Sequence, residues 1–239
     1  MNHTQLAVLI TGGATGIGFA LAQKFHSAGN RVILVGRSAA ALSKAAGSLP
    51  GAEACVADVS IAEDRERLVA RFPDISVLVN NAAIQVNTRF ADSAPEDIEH
   101  ELTVNFLAPA LLSRAFLPFL VRQPSAAIVN VSSGLALVPK EAAAIYCASK
   151  AALHSFSRTL RWQLESTNVR VFEVVPPLVE TAMTAGRGKG KLSAAQLAQE
   201  FWEGFKADRY EMLIGKTKVL SLVNRLSPSI AERIMRHGL

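Results

Sequence analysis

Short, continuous apolar runs alternate with amphipathic stretches of helical length along most of this chain. That alternation limits the fold more than any other feature. The runs lie at residues 6–10, 31–35, 54–57, 77–79, 126–131, 169–175 and 212–214. Most are rich in Val and Ile and continuous rather than alternating, as in strands covered on both faces. Helical patterns fall between them, near 17–28, 39–48, 61–71, 95–121, 145–166 and 194–206. Strict β-then-α order predicts an α/β fold built on a doubly wound parallel sheet with right-handed crossovers. The 239 residues fit one domain, with no internal repeat or long linker. Beyond Pro176 the alternation weakens, so residues 1–239 are expected to form a single domain with an atypical segment after about residue 182. Within it, residues 185–192 read as a mobile loop where a lid would sit.

Composition supports a packed core: 50% of residues are hydrophobic and 19% charged, which excludes disorder. Two cysteines, Cys55 and Cys147, are too few for a disulfide framework and point to a reducing compartment. The first residues carry no basic n-region, and no run of about 18 apolar residues occurs. A cytoplasmic protein without a membrane role is expected. The net charge of +5 comes from 25 Lys and Arg against 20 Asp and Glu, with local density only at 187–191 and over the last 35 or so residues. With 6% aromatics and no stacking platform beside those charges, the basic residues read as a solvated surface rather than a nucleic-acid site. The histidines, His154 included, lack metal-ligand spacing, so no metal is expected and packing or surface roles are.

Four constellations carry chemistry. The first is Thr11-Gly12-Gly13-Ala14-Thr15-Gly16-Ile17-Gly18, between the first strand and the first helix. Glycines there let the backbone approach a pyrophosphate, held by unpaired amides at the helix N-terminus. Tight strand–helix packing would also want small residues. The second is Arg37 in Gly36-Arg37-Ser38, after the second strand, with no Asp or Glu between Gly18 and Glu53. A carboxylate there would grip a ribose 2′-hydroxyl, whereas an arginine fork matches a 2′-phosphate. The alternative is a solvated arginine at a helix start. The third comprises Asp58 and Asn80-Asn81-Ala82-Ala83 at strand ends, where open α/β sheets bind ligands. Asp58 would serve equally as a helix cap and the asparagines as turn formers. Asn105 lies in an apolar run, and Pro109 four residues later frees its carbonyl. A structural amide and a catalytic one fit Asn105 equally well.

The fourth joins Ser132-Ser133, at the end of the fifth strand, to Tyr146-Cys147-Ala148-Ser149-Lys150 at the start of the next helix. Tyr146 and Lys150, at i and i+4, share a helix face. A free tyrosine titrates near 10, and bringing it to about 7 requires roughly 4 kcal/mol. A unit positive charge at about 4 Å supplies that much at an effective dielectric near 20. Lys150 is therefore expected to lower the Tyr146 pKa. Cys147 points about 100° away on the helix and reads as a packed free thiol.

With these motifs in this order, the sequence resembles the short-chain dehydrogenase/reductase family in its compact, one-domain, Rossmann-like form, over residues 6 to about 181. The family serine lies thirteen residues before the tyrosine, which selects Ser133 over Ser132. Two departures are Ala83, where the family has glycine, and Pro176-Pro177, where it has Pro-Gly. The phrases at 130–136 and 176–177 are similar to a bacterial subgroup of oxidoreductases named after D-alanylation of lipoteichoic acid, a name that describes gene context more than chemistry.

The resemblance implies an NAD(P)-dependent oxidoreductase that transfers a hydride between nicotinamide and a carbonyl or alcohol, with NADP(H) preferred and NAD(H) possible. It assigns catalysis to Asn105, Ser133, Tyr146 and Lys150, with Asn105 positioning a water that links Lys150 to solvent. It assigns cofactor binding to Gly12, Thr15, Gly16, Ile17, Gly18, Arg37, Asp58, Asn81, Tyr146, Lys150 and Thr181. The expected partner is a small-molecule carbonyl or alcohol, with neither nucleic acid nor membrane. A regulator that senses NADPH without turnover is the rival, and the intact Ser133, Tyr146 and Lys150 argue against it. Pocket walls are expected near 85–90, 135–144 and 178–192, with Lys140, Glu141 and Arg187 as rim charges. Phe116, Phe119, Leu120, Phe156, Leu160 and Trp162 read as core plus a subunit contact, and the apolar surplus on helices 95–121 and 145–166 predicts a homo-dimer or homo-tetramer.

Overall fold

The computed structural model describes residues 3–236. Residues 1–2 and 237–239, counted above in the single domain, lie outside the described residues, as does the start of the N-terminal segment read for a leader.

Seven strands form one parallel sheet: β1 (Ala7–Thr11), β2 (Arg31–Gly36), β3 (Glu53–Val56), β4 (Val77–Asn80), β5 (Ala126–Val131), β6 (Val169–Val175) and β9 (Glu211–Leu213). Two short strands, β7 (Val179–Glu180) and β8 (Leu192–Ser193), pair outside it. The sheet order is β3-β2-β1-β4-β5-β6-β9. Chain order reverses between β1 and β4, which opens a crevice at their carboxyl ends.

Both faces of the sheet are covered, and the continuous apolar runs follow from that. On β1, Val8 and Ile10 face α1 (Gly16–Ser27), α2 (Ala39–Gly47) and α7 (Ala194–Lys206), while Leu9 faces α3 (Ala62–Arg71) and α5 (Ala108–Leu120). An aromatic cluster of Phe25, Phe172, Phe201 and Phe205 fastens α1 and α7 to the sheet. Helix α6 (Ala144–Gln163) packs against β6 and brings Lys150 beneath β5.

The long helical stretch expected at 95–121 is interrupted. A π-helical turn, Thr103–Leu107, separates α4 (Pro95–Leu102) from α5. Pro109, which has no N–H, lies just beyond the turn, and such turns gather at functional sites. Residues 95–120 are long and apolar enough to cross a membrane, yet Val104, Ala108, Leu112, Phe116 and Leu120 are buried in the core beneath the sheet.

The C-terminal segment corrects the sequence reading. Where no helix was expected beyond 206, α8 (Thr217–Leu226) and α9 (Pro228–Met235) form a helical pair. Leu220, Val223, Ala231 and Met235 pack on Leu135, Leu137 and Val138 at the mouth of the crevice.

Candidate active site

The glycine turn is shaped by close backbone approach. Gly12 and Gly16 have positive φ values of 64° and 55°. A Cβ added at Gly18 would lie 2.3 Å from the Gly12 carbonyl oxygen and 2.5 Å from Asn81 Nδ2. Asn81 fastens this turn to the end of β4: its side-chain amide donates to the carbonyls of Thr11 (3.0 Å) and Gly12 (3.2 Å). The backbone amides of Asn81 and Ala82 both donate to Thr11 Oγ1. Asn81 thus lines the crevice while its amide group is engaged by the turn.

Two hollows flank this turn, and Gly12, Thr15, Ala82 and Ala83 line both. The first, about 460 Å³, is lined by Arg37, Ser38, Asp58 and Val59 at the ends of β2 and β3. Arg37 Nη1 lies 3.9 Å from Asp58 Oδ2, so the fold supplies the neighbouring carboxylate that the local sequence lacked. Asp58 Oδ1 accepts from the Ser60 amide (2.9 Å) and hydroxyl (2.7 Å). Burial alone would raise the Asp58 pKa. The Ser60 hydrogen bonds and the Arg37 charge outweigh burial and hold it below the usual carboxylate value.

The second hollow, about 520 Å³, holds Ser133, Tyr146, Lys150, Thr181 and Ile17 among its lining residues. Thr181 closes over Gly16, its Cγ2 lying 3.0 Å from where a Cβ would stand. Ser133 and Tyr146 line this hollow together, with the Ser133 side chain near enough to the phenol to favour its ionised form. Lys150 is buried, donates from Nζ to the Val131 carbonyl at 2.9 Å, and lies 5.7 Å from the Tyr146 ring centroid.

The Tyr146 pKa moves opposite to the expected direction. Burial pushes it up to about 12, and the nearby Ser133 side chain offsets only part of that rise. The Lys150 ammonium is directed at a backbone carbonyl, and burial pulls its own pKa down to about 8 against the opposing charges of Glu173 and Glu101. The phenol therefore keeps its proton at neutral pH.

Asn105, fully buried in the π-turn, is tied by its side chain to the loop after β4. Its Oδ1 accepts from the Ile84 amide (2.9 Å), and its Nδ2 donates to the Ile84 carbonyl (2.9 Å) and to Ser149 Oγ (3.1 Å). Ser149 Oγ in turn donates to the Tyr146 carbonyl at 2.7 Å. One amide thus holds the β4 loop, the π-turn and α6 in register beside the tyrosine.

Several polar groups here had no motif to announce them. Glu173, fully buried in β6, accepts from His154 Nδ1 at 2.8 Å and raises the histidine pKa, so half-buried His154 is the partner of a buried carboxylate. Glu101, buried one helical turn before Asn105, accepts from the Val86 amide at 3.2 Å, and burial raises its pKa. Gln85 and Arg187, 102 positions apart, meet at 2.9 Å. Glu141 lies outside the cleft lining, 3.5 Å from Arg236. Cys147 is a buried free thiol, as its helix position predicted.

A doubly wound sheet whose switch-point cleft carries a glycine cradle at one end and a serine–tyrosine–lysine group at the other defines the dinucleotide-dependent oxidoreductase class. The short chain dehydrogenase family model matches residues 6–192. The uncharacterized oxidoreductase DltE of Bacillus subtilis (strain 168) is 43% identical over 224 residues, covering 89% of each chain. A crystal structure of a short chain dehydrogenase from Burkholderia cenocepacia in complex with NADP is similar at a TM-score of 0.89 and 25% identity over 98% of both chains. A short chain dehydrogenase/reductase from Burkholderia phymatum in complex with NAD shares the fold at a TM-score of 0.87 and 24% identity, over 100% of this chain and 98% of its own. This chain belongs to the short-chain dehydrogenase family and is an oxidoreductase.

Proposed function

We propose that this protein interconverts a carbonyl and an alcohol with a nicotinamide dinucleotide, NADP(H) in preference to NAD(H), through Ser133, Tyr146 and Lys150. The observation that carries the reading is that Ser133, Tyr146 and Lys150 line one hollow together with the glycine turn, on whose other side Arg37 and Asp58 line a second. A dinucleotide fits the residues present: Gly12, Thr15, Gly16 and Ile17 line the crevice at the N-terminus of α1, where the Thr15 side chain does not cap the helix and its first amides are left for a pyrophosphate. Gly12, Thr15, Gly16, Ile17 and Gly18 would cradle the phosphates, with Asn81 bracing the turn. Asp58 and Arg37 would hold the adenosine end, and Thr181 and Lys150 the nicotinamide end.

When bound, the cofactor supplies or accepts the two-electron equivalent at the substrate carbon. Ser133 orients the substrate oxygen by hydrogen bonding. Tyr146, protonated at neutral pH, gives its proton to that oxygen as it gains negative charge, which suits reduction of a carbonyl. Lys150 contributes a buried positive charge beside the phenolate that results. Asn105 acts as a positioning residue through Ile84 and Ser149; the Tyr146 phenolate would regain its proton from the Lys150 ammonium, and a water at the carbonyl freed by Pro109 would return a proton to Lys150.

The test is Tyr146→Phe, which should lower turnover by roughly 10²-fold or more while NADPH affinity stays within a few-fold. Retained turnover would refute the assignment. NADPH binding with no turnover of any carbonyl by the unmodified protein would favour the sensor reading. We also propose a homo-dimer or homo-tetramer through the long helices, supported by Trp162, 63% exposed, and by Leu102, Leu107 and Val121, all exposed on that side of the chain path.

A further inference from the structure

The substrate end of the cleft has an unusual balance of polar groups. Lys140, Arg187 and Lys216 line it with Lys150, and no Asp or Glu is among its lining residues. Among the described residues, no carboxylate lies within ion-pair distance of Lys140, Arg187 or Lys216. The neighbouring acids are engaged elsewhere, Glu141 with Arg236 and Glu101 with the Val86 amide.

Arg187 and Lys140 are held in place by neutral acceptors. Arg187 Nη1 donates to Gln85 Oε1 at 2.9 Å, and Lys140 Nζ to Asn87 Oδ1 at 3.4 Å. The arginine fixes the orientation of the Gln85 amide, because only its oxygen can accept from a guanidinium. That leaves Gln85 Nε2 as a buried donor with no partner, a condition costing about 1–3 kcal/mol unless an acceptor arrives. Burial and, next, the charge of Arg187 pull the Lys140 pKa down, as expected of two cations sharing one wall without a counter-charge. Every one of these side chains offers donors, and none offers negative charge.

We infer that the substrate is an anion: a carbonyl or alcohol compound bearing a carboxylate or phosphate group, received by Arg187, Lys140 and the free donor of Gln85. This rests on the oxidoreductase reading above and adds the substrate's chemical class. An oxyanion lying between the two cations relieves their repulsion and satisfies Gln85 Nε2, while the substrate's reactive carbon faces Ser133 and Tyr146.

The test uses the full chain saturated with NADPH and two matched pairs of probes. Benzoylformate and its methyl ester form the carboxylate arm, and dihydroxyacetone phosphate and dihydroxyacetone form the phosphate arm. Binding is read by calorimetry on Tyr146→Phe, so it does not depend on turnover, and kcat/KM is read on the unmodified protein. At least one anion should bind more tightly than its neutral partner by roughly 10- to 150-fold, the scale of a charge-assisted contact. The advantage should shrink with salt, and Arg187→Leu should bring the charged-to-neutral ratio towards one. Neutral probes binding as well as the anions in both arms would overturn the inference. So would an Arg187→Leu protein that loses NADPH affinity at an unchanged ratio, because the arginine would then serve the cofactor. Salt-sensitive anion binding with no carbonyl turnover would uphold the anion site and refute the catalytic reading alone.

Discussion

The sheet body, residues 7–175 with α7 and β9, and the cap, made of residues 176–193 and 214–236, meet across the cleft but are held together differently. In the body Lys150 and Asn105 are buried and Asn81 half-buried, and all three are tied to backbone: Lys150 to Val131, Asn105 to Ile84, Asn81 to Thr11 and Gly12. In the cap, Thr181, Thr184, Arg187 and Lys216, which face the cleft, are half-buried or exposed, and Arg187 meets a side-chain amide rather than a strand. Helices α8 and α9 bury one edge and leave Val219, Leu222, Leu226, Ile230 and Ile234 exposed. A fixed body suits chemistry that must be placed to a fraction of an ångström, and a loosely tied cap suits the choice of substrate.

The division would be broken most forcefully at α7, which follows the cap loop in sequence but belongs to the body by packing. Phe205 is fully buried against Phe25, Phe172, Phe201 and Trp202. Phe205→Ala should cost about 3–5 kcal/mol, read by urea denaturation. A cost under 1 kcal/mol would show that α7 moves with the cap.

Lys150 gives the next largest effect and tests how closed the body is. Its native pKa of about 8 lies below the ordinary 10.5, so the unfolded chain binds more protons between those values. Stability from this group therefore rises as pH climbs through that window, by about 2–3 kcal/mol between pH 8 and pH 10. Tyr146, with its pKa raised to about 12, contributes the opposite slope only above its unfolded value near 10. Subtracting the Lys150→Met stability curve from that of the unmodified protein isolates the lysine. A flat difference would mean that water reaches Lys150 and that the body is less closed than its hydrogen bonds show.

The same division explains what could be read from sequence. The sheet, the glycine turn and the Tyr146–Lys150 pair were legible because they rest on local spacing: apolar runs, glycines at one βα junction, four residues from tyrosine to lysine; Ser133 was singled out from Ser132 only by the family resemblance. Helices α8 and α9 were not, because they follow the segment where strand–helix alternation stops and their apolar positions are interleaved with Lys216, Lys218, Arg225 and Arg233. Glu173 was hidden inside an apolar strand, and only the fold brings His154 to it. Gln85 and Arg187 were each in segments expected to line the pocket, yet their contact spans 102 positions. The sign of the Tyr146 shift was missed because the spacing to Lys150 reports a neighbouring charge but not how dry the site is.

Arg37 sharpens the comparison at the body's own rim. Its side chain is 63% exposed and lies beside Asp58, so a contact to a 2′-phosphate there competes with water and with a carboxylate. The expected NADP(H) preference over NAD(H) sits near the low end of a charge-assisted contact, roughly 10-fold. Arg37→Ala should erase most of it by weakening NADPH and leave NADH nearly untouched. Equal affinities of the unmodified protein for both cofactors, or tighter NADH, would contradict the assignment.

The smallest expected change lies on the exposed stripe of the cap. Leu226 is 76% exposed, so Leu226→Ser removes almost no buried area and should alter stability by no more than about 0.5 kcal/mol. Trp162, 63% exposed on α6, is the contrasting site, because assembly is proposed through the long helices. The cap packs on Leu135, Leu137 and Val138 and leaves Trp162 exposed, so it does not occupy that face. Trp162→Glu should therefore shift the protein towards a 25.5 kDa monomer in sedimentation, while Leu226→Glu leaves the oligomer intact. The reverse result would move the interface to the cap, beside the loop that carries Arg187. A 25.5 kDa monomer for the unmodified protein at micromolar concentration would remove the assembly proposal and leave both apolar surfaces facing solvent.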